Sequence, residues 1–237
     1  MSSNDLRMLW LRWVAANSLG EMVGLGLTFA VGVGLISSLG DHGSLAAVLI
    51  AFLVAVASGA IEATFVGFAQ WWAMHPWFPS IRRSAWWSAT LIGALVAYVL
   101  GYLPSTLISL GKQTTQAQVP VAEPAGWTVL LLAAGLGVVG GALLSFAQWL
   151  TMRKKVPLAS LWIPANMLAW LVGMPVIFWG IDVAQKLSGL IWVILCMAGV
   201  LLLAGLVVGA IHGAFLVRLA GWKSTFASES GSIISPS

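Results

Sequence analysis

Charge is what this sequence has least of. Of its 237 residues only 8% are Asp, Glu, Lys or Arg, whereas a soluble domain carries roughly a quarter because its surface must be solvated. A water-soluble globule is excluded on that ground, and lipid is the expected solvent. Cysteine is nearly absent. The one residue, Cys196, lies in an apolar run, which rules out an intramolecular disulfide, a CxxC metal knuckle and a CxxCH haem attachment. Basic runs are missing as well. Eleven Lys and Arg against seven Asp and Glu give a net charge of +4, but they occur singly, in twos or in threes. No stripe tracks phosphates, so no nucleic-acid partner is expected. The three histidines show no paired ligand spacing, and no metal site is assigned. No Gly-rich phosphate loop, HExxH, GxSxG or paired-carboxylate motif occurs. The sequence therefore offers no catalytic centre and names no cofactor.

What it does have is length of apolar chain: 60% of residues are hydrophobic and 14 are tryptophan. A bilayer core of about 30 Å needs about 20 helical residues at a rise of 1.5 Å each. Six segments meet that length: Trp13 to Ser37, Leu45 to Met74, Trp86 to Leu110, Trp127 to Met152, Leu161 to Ile181 and Leu187 to Leu219. The first runs well beyond the apolar core of a signal peptide, about 7 to 15 residues, and reads as a membrane helix. Residues 1–222 form one membrane domain in this reading. The Ser-rich, aperiodic stretch 223–237 is expected to be a disordered tail.

Sorting Lys and Arg by loop puts Arg7, Arg12, Arg82, Arg83, Arg153, Lys154, Lys155, Arg218 and Lys223 on one side, and Lys112 and Lys186 on the other. Positive residues stay cytoplasmic, so both termini are expected inside the cell, with the chain in a bacterial inner (plasma) membrane. Trp10, Trp13, Trp71, Trp72, Trp77, Trp86, Trp87, Trp149, Trp162 and Trp222 gather at the same ends of the spans. That placement predicts a belt at headgroup level. The external loop from Gly111 to Gly126 and the turn carrying Asp41 and His42 are read as solvated connections.

The odd spans share a pattern. Trp13, Ala16, Asn17, Gly20 and Gly24 are spaced like Trp86, Ala89, Thr90, Gly93 and Ala97, and like Trp162, Ala165, Asn166, Ala169 and Gly173. Those spacings follow one helical stripe. Even spans carry small residues four apart: Gly59, Ala63 and Gly67; Gly137, Gly141 and Ser145; Gly205, Gly209 and Gly213. In lipid no hydrophobic drive pulls helices together, so close backbone approach through small residues has to do so. The chain is thus expected to be three parallel two-helix hairpin repeats, about 9–75, 76–153 and 154–222, related by a pseudo-threefold axis along the membrane normal. The first two even spans end GFAQW (Gly67 to Trp71) and SFAQW (Ser145 to Trp149), whereas the third reads GAFLV (Gly213 to Val217).

The stretch SFAQWLTMRKKVPLASLWIPANMLAWLVG, Ser145 to Gly173, resembles repeats of uncharacterised bacterial polytopic membrane proteins that read GxxQW, then LR, then W, then GW. The resemblance covers two of the three hairpins, with Met152 where Leu is expected, and it implies a multi-pass fold without implying an activity. Mitochondrial carriers also have three two-helix repeats, but their charged signature after each odd helix is absent here.

Charged side chains inside spans are costly and by default mark function. Glu21 and Glu62 are two such residues, and counting along the helices puts His212 at a similar depth. In one reading the three converge on a cytoplasm-facing polar site for a small or lipophilic ligand or for proton coupling. In the other each is satisfied locally, Glu21 near Asn17, Glu62 across a helix interface and His212 by a carbonyl. Asn17, Thr90, Asn166, Gln70 and Gln148 form a second polar ring nearer the cytoplasm, suited to hydrogen bonds between helices or to lining a solute path. Two functional classes follow. One is a binding or transport protein. The other is a non-catalytic accessory or scaffold subunit whose small-residue stripes and Trp belt meet a membrane partner.

Overall fold

In a computed structural model of the chain, residues 1–37, 44–114 and 125–232 are described, and their regular structure is entirely helical. The helices are α1 (Ser3–Ser37), α2 (Leu45–Met74), α3 (Arg83–Thr114), α4 (Gly126–Met152), α5 (Trp162–Gln185), which follows a short 3-10 turn (Ala159–Leu161), and α6 (Leu190–Ser232). All six are long and apolar enough to cross a membrane. The turn with Asp41 and His42, most of the Gly111 to Gly126 loop and residues 233–237 lie outside the described residues.

Two boundaries differ from the hydropathy reading by ten residues or more. Helix α1 starts at Ser3 rather than Trp13 because Ser2 and Asp5 cap it reciprocally. The Ser2 amide donates to Asp5 Oδ2 at 3.0 Å and the Asp5 amide donates to Ser2 Oγ at 3.1 Å, satisfying amides that a helix start leaves open. At the other end, α6 continues as helix to Ser232 across the stretch expected to be disordered. Its first glycine is Gly231 and its first proline Pro236, so an established helix meets no breaker there and needs only one further bond per residue.

Each helix packs on its neighbours in chain order, and α6 packs back on α1, closing a ring of six. Small residues set every seam. Within hairpins, a Cβ on Gly24 would meet Glu62 Cα at 3.0 Å, one on Gly93 would meet Leu144 Cα at 2.8 Å, and one on Gly173 would strike Val208. Between hairpins the even-helix stripes serve. Gly67 lies on Thr90, Gly59 on the Tyr98 ring, Gly141 on the Asn166 carbonyl, and Gly137 on the Trp170 carbonyl. Gly205 lies on the Asn17 carbonyl, Gly209 on Val14 and Gly213 on Trp13. Ala63 and Ser145, which belong to the same stripes, are buried. All three stripes are thus covered by neighbouring helices of the same chain.

Candidate ligand-binding cavity

The tryptophans expected at headgroup level divide in two. Trp72 is 60% exposed, but Trp13, Trp86 and Trp162 are fully buried. These three indoles meet inside the ring, with centroid separations of 6.5 Å (Trp13 to Trp86), 5.6 Å (Trp13 to Trp162) and 6.0 Å (Trp86 to Trp162). Their stripe carries Asn or Thr one turn on, so that face turns inward, where polar groups find partners instead of lipid.

Each buried indole is tied to the even helix before it. Trp86 Nε1 donates to Gln70 Oε1 at 3.3 Å and Trp162 Nε1 to Gln148 Oε1 at 2.8 Å. On α6 the corresponding position is Leu216, which cannot accept, and Trp13 Nε1 donates instead to His212 Nδ1 one turn earlier, at 2.7 Å. Gln148 Nε2 reaches across the ring to Gln70 Oε1 at 3.2 Å and to Thr90 Oγ1 at 3.0 Å. Gln70 Nε2 donates to Asn17 Oδ1 at 2.9 Å. Asn17 and Asn166 each donate back to the carbonyl of their own tryptophan, Trp13 and Trp162, at 2.7 Å and 2.9 Å. The polar ring is thus a hydrogen-bonded brace buried among the helices.

Beneath this layer, towards the Arg-rich end, the interior is filled. Leu9, Met74, Phe78, Ile81, Met152, Val156, Leu216 and Leu219 are buried together with the three tryptophans. Phe78 and Ile81 come from the α2–α3 connection and Val156 from the α4–α5 connection, so those connections fold under the ring and close it. Arg12 lies above Trp72, its guanidinium carbon 4.3 Å from the ring centroid, and donates to the Trp72 carbonyl at 3.1 Å. Lys223 Nζ donates to the Trp77 carbonyl at 3.3 Å.

On the opposite side of the tryptophan layer a cavity of about 280 Å³ opens between α1, α2, α3, α4 and α5. The odd helices line it in steps of four residues counted from the buried tryptophans. Eight residues on stand Glu21, Ala94 and Trp170; twelve on, Leu25, Tyr98 and Met174; sixteen on, Phe29, Tyr102 and Phe178. All of these except Glu21 line the cavity directly. From the even helices come Glu62, Leu136, Leu144 and the glycines Gly137, Gly140 and Gly141. Gly137 and Gly141 are taken up by the α4–α5 seam, and it is Gly140 that leaves room. At Gly140 a Cβ would meet nothing nearer than Ala97 Cβ at 3.9 Å.

The polar groups of the cavity are gathered on one wall. The Tyr98 hydroxyl donates to Glu62 Oε2, and the Tyr98 and Tyr102 rings lie 5.9 Å apart. Glu21 is buried on α1, within electrostatic reach of Glu62. Its Oε2 has no hydrogen-bond partner. No described residue lining the cavity is basic.

Two expectations change here. His212 does not join the carboxylates. It is fully buried in the tryptophan layer, its ring 5.5 Å from both Trp13 and Trp162, while Glu21 lies two turns further along α1, about 12 Å away along the axis. The cavity also lies away from the Arg-rich end, because the tryptophans and the folded-under connections occupy that side. Tyr98 and Tyr102 were missed in the sequence because a lone Tyr in an apolar span carries no motif. The signal that exposes them is their register with Trp86. Among the described residues no three His, Cys, Asp or Glu come together. Compared with family models, with curated proteins and with solved structures, the chain matches none.

Proposed function

We propose that this chain is a multi-pass membrane protein, built of three parallel two-helix hairpins around a pseudo-threefold axis, that binds a small lipophilic ligand in the cavity beyond its tryptophan layer. The repeat reading is supported by register: Gly24 against Glu62, Ala97 against Gly140 and Gly173 against Val208 are the same pairing in successive hairpins. The cytoplasmic placement of both ends in a bacterial plasma membrane rests on the nine Lys and Arg at that end. The cavity then faces away from the cytoplasm.

The observation that carries the ligand reading is Glu62, hydrogen-bonded to Tyr98 in the wall of an otherwise apolar space. Interiors that serve packing alone are filled, and a carboxyl inside a span is costly unless it has a task. Ligand pockets span about 300 to 1,000 Å³, so 280 Å³ suits a small molecule. Binding leaves the tryptophan layer intact, whereas transport requires it to part. The accessory-subunit reading drew on the small-residue stripes and the Trp belt; the stripes lie in the seams of the ring, which leaves that reading the exposed tryptophans alone.

Native mass spectrometry of the protein released from mild detergent tests this. A co-purifying small molecule is expected with the wild type and lost in Gly140→Leu, which fills the cavity. Retention of the same molecule by a folded Gly140→Leu protein would remove the site from consideration.

A further inference from the structure

The ligand's chemistry follows from what the cavity wall supplies, given that the cavity is a lipophilic site at all. Its one carboxyl group among the described lining residues is Glu62, and its donors are the Tyr98 and Tyr102 hydroxyls and the Trp170 indole N–H. The Tyr98 hydroxyl proton is committed to Glu62, Glu21 keeps a buried oxygen with no partner, and no described lining residue is basic. Glu62 is thus a carboxyl group in a space with no described cation to pair with it, and Glu21, buried on α1 outside the lining, brings none. Burying a charge is expensive unless a partner of opposite sign is brought to it. The remaining wall is aromatic and aliphatic, with Phe29, Tyr98, Tyr102, Trp170 and Phe178 around the space, and aromatic faces attract cations at close range. An anion would face the Glu62 carboxyl group with no cation beside it, and an uncharged hydrocarbon would make no use of that group's acceptor.

We propose that the ligand is a lipophilic cation, an amine or quaternary ammonium on a compact aromatic or alkyl body. Its positive centre lies at Glu62 and its apolar body against Phe29, Trp170 and Phe178. Because Glu62 is the one carboxyl group among the described lining residues, a single positive centre fits and a polyamine does not.

The test uses the full chain in nanodiscs of uncharged lipid, with radiolabelled benzyltrimethylammonium as probe and neopentylbenzene, its uncharged carbon isostere, as competitor. The expected result is saturable binding of one cation per chain, with neopentylbenzene competing at least tenfold more weakly. Glu62→Gln is expected to weaken cation binding at least tenfold while the protein stays helical and monodisperse. Equal competition by neopentylbenzene overturns the cation assignment and leaves the lipophilic-ligand reading standing. With neopentylbenzene labelled in turn, its binding without that of the cation overturns the cation assignment alone, and absence of binding by both compounds overturns both readings. The wild-type comparison decides between these outcomes even if the variant fails to fold.

Discussion

Trp13 donates its indole N–H to His212 Nδ1 across 2.7 Å, which requires that nitrogen to be unprotonated and assigns the histidine a structural duty. Where Trp86 and Trp162 find glutamine, Trp13 would find Leu216, and His212 supplies the missing acceptor from one turn away. Replacing His212 by Val leaves a buried N–H unmatched, at a cost of about 1 to 2 kcal/mol. Adding Leu216→Gln to that variant is expected to recover most of the loss. Thermal unfolding of the single and double variants in detergent measures both. A double variant no more stable than His212→Val would mean the α6 backbone does not present position 216 to the indole.

The three indoles contribute through shape as well as through their N–H groups. Trp162→Phe removes one donor and should cost about 1 kcal/mol, since hydrogen bonds between membrane helices are worth about 0.6 kcal/mol on average. Trp162→Ala also opens a void beside Trp13 and Trp86 and should cost about 3 to 5 kcal/mol. Unfolding midpoints in a denaturing detergent series will separate the two. Equal losses would argue that the hydrogen bond, not the packing, holds the layer.

Two glycines of α4 are expected to respond oppositely to the same change. A Cβ on Gly137 would run into the Trp170 carbonyl, whereas one on Gly135 meets nothing within 4 Å. Gly137→Ala must push α5 away and should lower stability by roughly 2 kcal/mol, within the 1 to 3 kcal/mol usual for overpacking. Gly135→Ala should fall within about 1 kcal/mol of wild type, on the stabilising side if helix propensity governs. Comparable destabilisation by both would contradict the α4–α5 seam.

Orientation can be read by chemical labelling. With Cys196 replaced by Ser, cysteine placed at Ala125 should react with a membrane-impermeant maleimide added to intact cells, and cysteine placed at Lys154 should react only after lysis. Both positions are exposed. The reverse pattern would invert the chain and place the cavity on the cytoplasmic side.

How much of this could be read in the sequence depended on whether a feature repeats. The spans were legible because lipid demands continuous apolar length, and the α4 and α6 stripes because small residues every four positions admit few other uses. Trp13, Trp86 and Trp162 were visible as a repeat but placed in the wrong environment. An indole at the end of a span usually sits in the headgroups, and only the closing of α6 on α1 encloses these three. His212 was misplaced for a related reason. Depth along a helix gives height in the membrane but not the face, and its role becomes visible only beside Leu216. The cavity left the weakest trace, because the open space beside Gly101 and Gly140 looks in sequence like any other small-residue position, and an empty volume has no residue of its own.

The return of α6 to α1 bears on how the chain could be recut. Gly205 and Gly209 meet Asn17 and Val14 much as Gly141 meets Asn166, so the seam without a covalent link is built like those that have one. A circular permutant that joins the present ends through a flexible linker and opens between Thr114 and Gly126 would keep all six seams. Such a chain should fold to the same ring, because lateral packing, not the order of synthesis, decides which helices are neighbours.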